Sequence, residues 1–381
     1  VKPPGRPLRV LLRAPNWVGD AVLALPSVAA LASRPDVRLT VLGPPYVHPI
    51  YDGLPGVSLS PVDPRAPTPL RAWGAGRALA GGDDVGILCP TSLSSAIVLW
   101  AARVPRRVGR AGDGRSPLLT DRLPKRPRPP FPLRSRGEYD PRHHRWRDYA
   151  ELVEHVLGEP VSERYPLHVP DAARAAAARL LSGLAGAGPL IGLNPGANGP
   201  ARRWPIERYT ALGKALRDGL DARVAVVGSR FETDLAERVA GAVPGARSLG
   251  GRTDLKTLAA VLAELDLLVT NDTGPMHVAA ALGTPLIALF GAGDDRVTAP
   301  RGPGVHVLRE LLFCSPCVRS HCPYDLECMK GLATAAVLAE ATRVLSERRP
   351  RREPGERPAE AAPNGGASGD AAILPETAPA S

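Results

Sequence analysis

NDTGPMHVAAALGTPLIALFG, residues 271–291, is the stretch whose reading decides the fold. The apolar run LDLLVT ends at Thr270 just before it, Asn271, Asp272, Thr273 and Gly274 follow, and Pro275 opens an alanine-rich segment that leads into a second apolar run, PLIALFG. Apolar runs this short are strands buried on both faces, and proline is well placed as the first residue of a helix. The unit is therefore strand, tight turn, helix, strand, the pattern of a parallel sheet covered by helices. Its turn is polar for one of two reasons. A helix start carries free N–H groups and a partial positive charge, so Thr273 and Gly274 can cradle a phosphate or diphosphate while Asp272 faces sugar hydroxyls. Alternatively, Asp272 or Thr273 simply caps the helix.

Working outward, the same alternation recurs on both sides. PLIGLNPGANG is a strand ending in a glycine-rich turn, PIERYTALGKALRDGL a helix, ARVAVVG a strand at 222–228, ETDLAERVAGAV a helix, and DLKTLAAVLAEL a helix with Asp254 as its N-cap. Towards the N-terminus, LRVLL at 8–12, VRLTVLG at 37–43 and DVGILC at 84–89 read as strands, with helices over about 21–32 and PTSLSSAIVLWAARV. Residues 110–145 are too rich in proline for a helix or a central strand and read as one long loop, after which a helix runs from about Trp146 to Leu157. GEPVSERYPLHVP reads as a linker. The expectation is an α/β protein with an N-terminal Rossmann-like domain over 1–165, a second over 166–347, a cleft between them, and a disordered tail over 348–381.

Composition removes several classes. No run of about 18 apolar residues marks a membrane-spanning helix, and the apolar run near the N-terminus is too short for a secretory signal, so a cytoplasmic protein is expected. No GxxxxGK[ST] loop occurs, and GAGDDR at 291–296 lacks the third glycine of a dinucleotide fingerprint. The net charge of +10 is local: between Arg103 and Arg147 fourteen Lys/Arg face four Asp/Glu. One basic segment on an otherwise balanced chain points to an acidic partner such as a phosphorylated lipid or an anionic membrane surface. Its interleaved aromatics, Phe131, Tyr139 and Trp146, are too few for stacking nucleic-acid bases, and no nucleic-acid partner is expected.

Three further stretches carry chemistry. NPGANGPARRWP, 194–205, places Arg202 and Arg203 after a strand end and two glycines, where arginine suits phosphate oxygens, unless the pair is a solvated loop charge. NWVGDAVLALP sets Asp20 at a strand-to-helix turn, either as a helix cap or as a general base. Cys314, Cys317, Cys322 and Cys328 crowd into fifteen residues. They read first as structural thiols; a metal knuckle or a redox pair are the alternatives.

In this order and spacing, APNWVGDAVLALPSV, NPGANGPARRWPIERY, VTNDTGPMHVAAALGTPLIALFG and CSPCVRSHCPYDLECM resemble glycosyltransferase family 9, and within it the heptosyltransferase II group. The resemblance covers about residues 8–346. It implies a GT-B fold, two Rossmann-like domains facing a central cleft. It also implies an ADP-heptose donor, a lipopolysaccharide core acceptor on lipid A, inversion at the anomeric carbon, no required cofactor or metal, and work at the inner face of the cytoplasmic membrane. By this resemblance Asp20 is the base. Arg202 stands where the family carries lysine and faces the donor diphosphate, with Ala197 and Asn198 in the turn before it. Glu232 holds the donor ribose, and Asp272, Thr273 and Gly274 form the donor turn. His277 recurs without an assigned role.

Overall fold

A computed structural model describes residues 6–63, 68–126 and 140–347. The tail expected over 348–381 and the centre of the basic segment, 127–139, lie outside the described residues. The chain divides into two compact units, the first ending at His168 and the second starting at Val169.

The first unit runs β1 (Leu8–Arg13), α1 (Val18–Ala32), β2 (Val37–Gly43), β3 (Val57–Pro61), α2 (Pro69–Leu79), β4 (Val85–Leu88), α3 (Leu93–Ala101), β5 (Arg106–Arg110), β6 (Asp121–Leu123) and α4 (Arg145–Leu157). Its six strands are all parallel, in the order β3-β2-β1-β4-β5-β6. The segment 110–145, expected as one loop, thus carries the sixth strand. That strand is three residues long and sits at the sheet edge, where neighbouring prolines cost no ladder bonds on the outer side. Helices α2 and α3 cross tightly at Gly76, where a Cβ would lie 2.3 Å from the Val98 carbonyl oxygen. Neither β3 nor α2 is among the expected elements, because β3 is short and ends in proline and α2 is interrupted by Gly74 and Gly76.

The second unit runs α5 (Asp171–Leu181), β7 (Leu190–Asn194), α6 (Ile206–Leu220), β8 (Arg223–Val226), α7 (Thr233–Ala242), β9 (Arg247–Ser248), α8 (Leu255–Glu264), β10 (Leu267–Asn271), α9 (Gly274–Ala281), β11 (Leu286–Phe290), α10 (Asp295–Thr298), β12 (Val305–Arg309), α11 (Glu327–Gly331) and α12 (Thr334–Ser346). The sheet order β12-β11-β10-β7-β8-β9 is the same topology read from the other edge, again with every pairing parallel. β7, β10 and β11 are buried along their whole length, which is why their sequences read as unbroken apolar runs. Their core includes Trp204, packed edge-on to Tyr209 at 4.9 Å, and is closed by Val337, Ala341 and Val344 of α12.

In both sheets the chain first builds outward on one side of its first strand and then crosses to the other. The reversal falls between β1 and β4 in the first unit and between β7 and β10 in the second. Crevices at the carboxyl ends of strands at such a reversal are where doubly wound sheets take ligands.

Candidate active site

The opening stretch lies at the reversal point of the second sheet. β7 ends at Asn194 and β10 at Asn271, and they are hydrogen-bonded neighbours. The turns that follow them, 195–205 and 272–273, are therefore adjacent. Asn271 ties them together. It is fully buried; its Nδ2 donates to the carbonyls of Pro195 (3.0 Å) and Gly196 (3.1 Å), and its Oδ1 accepts from the Trp204 amide (3.0 Å). Asn194 repeats the idea one layer down, donating to Thr270 Oγ1 at 2.9 Å. An amide side chain supplies a donor and an acceptor together, which a carboxylate cannot.

Asp272 is 6% exposed, with Oδ2 facing Arg202 Nη1 at 3.5 Å. On its other side the loop after β11 comes so close that a Cβ at Gly293 would lie 2.2 Å from Oδ2. The helix-cap alternative finds no support at Thr273, which occupies the N-cap position of α9 and makes no capping bond with its side chain. Pro275 has no amide proton and Met276 N donates to Thr273 O at 3.1 Å, so the Gly274 N–H is the first-turn donor outside the helix ladder. The turn thus offers one amide, one hydroxyl and the positive helix end. His277 is buried one turn further along α9.

The 195–205 loop divides the work of its two arginines. Arg203 donates to the Ala197 carbonyl through Nε (3.2 Å) and Nη2 (3.0 Å), so it braces the loop rather than supplying charge to a ligand. Arg202 is one-third exposed and turns its guanidinium towards Asp272, with which it is ion-paired. Ala197 is buried and Asn198 exposed at the loop tip. Glu232, at the turn into α7, accepts from the amide (2.9 Å) and hydroxyl (2.7 Å) of Ser229. Its other oxygen lies 2.2 Å from where a Gly196 Cβ would be, which brings this carboxylate against the same loop. An acid beyond the second strand of such a sheet is the position that meets a nucleotide ribose.

The cysteine segment also serves this loop. Ser320 O accepts from Ala201 N at 3.1 Å, Val318 N donates to Ala292 O at 2.7 Å and Ser315 Oγ donates to Gly291 O at 2.7 Å. Cys322 Sγ accepts from the amides of Tyr324 (3.3 Å) and Leu326 (3.4 Å). Cys328 is buried against Gly291, and burial, followed by the neighbouring thiols, pushes it up to about 11. All five cysteines are free thiols, and among the described residues no group of three or more His, Cys, Asp or Glu side chains is arranged to hold a metal ion. The segment that carries these thiols is thus hydrogen-bonded to the turns after β7 and β11.

In the first unit Asp20 is the third residue of α1, whose N-cap is Trp17. Asp20 Oδ1 accepts from Tyr149 Oη at 3.1 Å, with Arg145 Nη1 at 3.8 Å. The hydrogen bond falls on Oδ1, and among the described residues none is made to Oδ2. Burial, and then the charge of Asp20, hold the Tyr149 phenol well above its usual range, so it stays a donor. Neither Tyr149 nor Asn271 stands out by spacing; each is found only by where the chain brings it.

Among the described residues of the basic segment, most cations are ion-paired. Arg106 pairs with Asp121, Lys125 and Arg115 with Asp113, and Arg142 with Asp140. Arg110 and Arg126 pair with Asp148 and Glu151 of α4, and Arg147 with Glu154. The acids on α4 lie just beyond the window in which the excess was counted.

One doubly wound sheet with anion-ready turns at its reversal point, and a second carrying an oriented carboxylate after its first strand, define a nucleotide-sugar transferase of the GT-B class. Residues 73–327 match glycosyltransferase family 9 (heptosyltransferase), and the chain belongs to that family. It is 30% identical over 318 residues to lipopolysaccharide heptosyltransferase 2 of Escherichia coli, covering 79% of this chain and 88% of that one. It is 29% identical over 319 residues to lipooligosaccharide heptosyltransferase 2 of Haemophilus influenzae, with the same coverage. The solved structure of E. coli ADP-heptose LPS heptosyltransferase II superposes with a TM-score of 0.69 at 26% identity, over 89% of this chain and 98% of that one.

Proposed function

We propose that the protein transfers heptose from ADP-heptose to the inner core of lipopolysaccharide with inversion at the anomeric carbon. The observation that carries this reading is the meeting of Arg202, Asp272 and the first turn of α9 at the reversal point of the second sheet. There the diphosphate of the donor takes Arg202, the Gly274 N–H and the Thr273 hydroxyl. Ala197 and Asn198 line the approach, and Glu232 takes the ribose. Asp272 fixes Arg202 and offers its remaining surface to the sugar. His277 supports the first turn of α9 from within.

An acceptor hydroxyl oxygen forms the new bond to the anomeric carbon as the bond to the diphosphate oxygen breaks. ADP leaves with the electron pair, and its growing charge is met by donors already in place. The acceptor proton passes to Asp20 Oδ2, because Oδ1 is held by Tyr149 and Arg145. In this reading no cofactor is required, and activity should survive EDTA.

The acceptor is carried on lipid A, which places the enzyme peripherally on the inner face of the cytoplasmic membrane. No helix among the described residues is long and apolar enough to cross a membrane. Leu70, Trp73 and Trp100 are exposed on α2 and α3 beside Arg71, Arg77 and Arg103, a composition that suits an anionic interface.

The test is incubation with ADP-heptose and a heptose-deficient core lipid. The acceptor should gain the mass of one heptose as ADP appears in equal amount, with the anomeric configuration inverted by NMR. Release of ADP with no change in the acceptor would sink the transferase reading. Co-sedimentation with anionic vesicles should fall as salt rises; binding indifferent to salt would count against the membrane assignment.

A further inference from the structure

Arg13 ends β1 at the reversal point of the first sheet, and the reaction as proposed does not use it. It is 3% exposed. Its guanidinium donates to the carbonyls of Ala14 and Leu42 and to Asn16 Oδ1, all neutral acceptors. Among the described residues it makes no ion pair. The groups within electrostatic range are one thiol and two phenols, Cys89, Tyr51 and Tyr46. Burial pushes Cys89 up to about 12 and holds Tyr51 well above its usual range, so neither balances the cation. Burial also draws Arg13 down to about 10, which leaves it charged at neutral pH. A buried cation without a counter-charge is costly, and such groups concentrate at binding sites.

A cavity of about 170 Å³ lies against it, lined also by Asn16, Arg71, Ser92, Ser94 and Ser95. The serines form a chain: Ser94 Oγ donates to Ser92 Oγ, and Ser92 Oγ donates to Ser95 Oγ at 2.8 Å. Each hydroxyl has one proton, so the buried Ser95, last in the chain, keeps its own to give. The single carboxylate in the lining, Asp63, is exposed. The cavity is too small for a whole nucleotide sugar and suits one anionic substituent. Tyr51 links it to the helix of the candidate base: Tyr51 Oη donates to the carbonyl of Ala21, the residue after Asp20, and Tyr51 lies within electrostatic range of both Arg13 and Asp20.

We propose that this cavity is an anion subsite for the acceptor, taking a carboxylate or phosphate substituent with Arg13 as its fixed cation, Ser95 as a donor and Arg71 closing from outside. The proposal rests on the transferase reading for the identity of the ligand. Its first test needs no turnover. With the full chain saturated with ADP to fill the donor turns, inorganic phosphate and acetate are titrated separately by calorimetry. One site should remain for at least one of them, and the stronger of the two names the substituent. Arg13→Gln and Arg71→Gln should each weaken it about ten-fold or more, while Arg202→Gln leaves it intact. Arg71 is exposed, so its variant carries the test if Arg13→Gln fails to fold. In transfer assays the same variants should raise the acceptor KM about ten-fold with donor KM unchanged. No anion site under ADP, binding equal in both variants, or a site whose ligand does not compete with the acceptor (an adventitious ion only) would overturn the proposal. If the anion site behaves as expected and no heptose is moved, the cavity stands as an anion site and it is the transferase reading that fails.

Discussion

Replacing Asn271 by alanine tests whether one side chain holds the donor turns in register. The truncation leaves two carbonyls, of Pro195 and Gly196, and one amide, of Trp204, without the partner they now have. The site is fully buried, so water does not replace the amide without a rearrangement. Each stranded group costs about 1–3 kcal/mol; allowing for partial relaxation, the sum is about 3–5 kcal/mol. Against an ordinary unfolding free energy of about 5–15 kcal/mol that is a large fraction. With a urea slope of about 2 kcal/mol/M, the unfolding midpoint of the second unit should fall by about 2 M. Buried Trp204, bonded through Nε1 to the Leu332 carbonyl at 2.9 Å, supplies a local fluorescence signal. ADP binding should weaken by about ten-fold at a temperature where the variant is still folded, since Arg202 must then be ordered on binding. Asn271→Asp should do no better, because it keeps the acceptor for Trp204 but turns a second oxygen towards carbonyl oxygens. A variant within 1 kcal/mol of the parent and equal to it in ADP affinity would refute the assignment of Asn271 as the tie between these turns.

Three other outcomes follow from the same geometry. Asp20→Asn should lower kcat by about 10²–10⁴ with donor KM unchanged, and Tyr149→Phe by only a few-fold; equal losses in both would mean that Asp20 acts through its neighbours and not as the base. Arg202→Ala should reduce kcat by about 10² and Arg202→Lys should recover part of it, whereas Thr273→Val should weaken ADP binding with no loss of stability, because the hydroxyl caps nothing. Asp254 accepts from Thr257 N at 2.8 Å, and this backbone bond is the main reason its carboxyl lies below the usual range. Its contribution of about 1 kcal/mol is complete above the ordinary carboxylate value and is lost as pH falls through the lowered folded value. Asp254→Ala should therefore cost that amount at pH 7 and nothing at the acid end of the titration, which denaturation at both pH values would show.

Much of the architecture could be read from the chain itself. Strands buried on both faces must be continuously apolar, and a turn that starts a helix must satisfy or use its free amides, so LDLLVT-NDTG-PMH announces a βα unit in a parallel sheet. Order and spacing of four motifs carried the family, and the roles proposed for Asp20, Arg202, Glu232 and the 272–274 turn are what that resemblance implies. Spacing alone could not divide the labour between neighbours. Arg202 and Arg203 are equivalent on paper; only the path of the loop gives Arg203 the Ala197 carbonyl and Arg202 the open side. The basic segment looked like a single surface because its counter-charges on α4 come later in the chain and meet it only through folding. Asn271, Tyr149 and Arg13 were illegible for the same reason. Local sequence fixes periodicity and backbone chemistry, whereas partnership between groups 67 or 129 positions apart is decided by the packing of sheets and helices, which sets the distances at which charge and hydrogen bonds act.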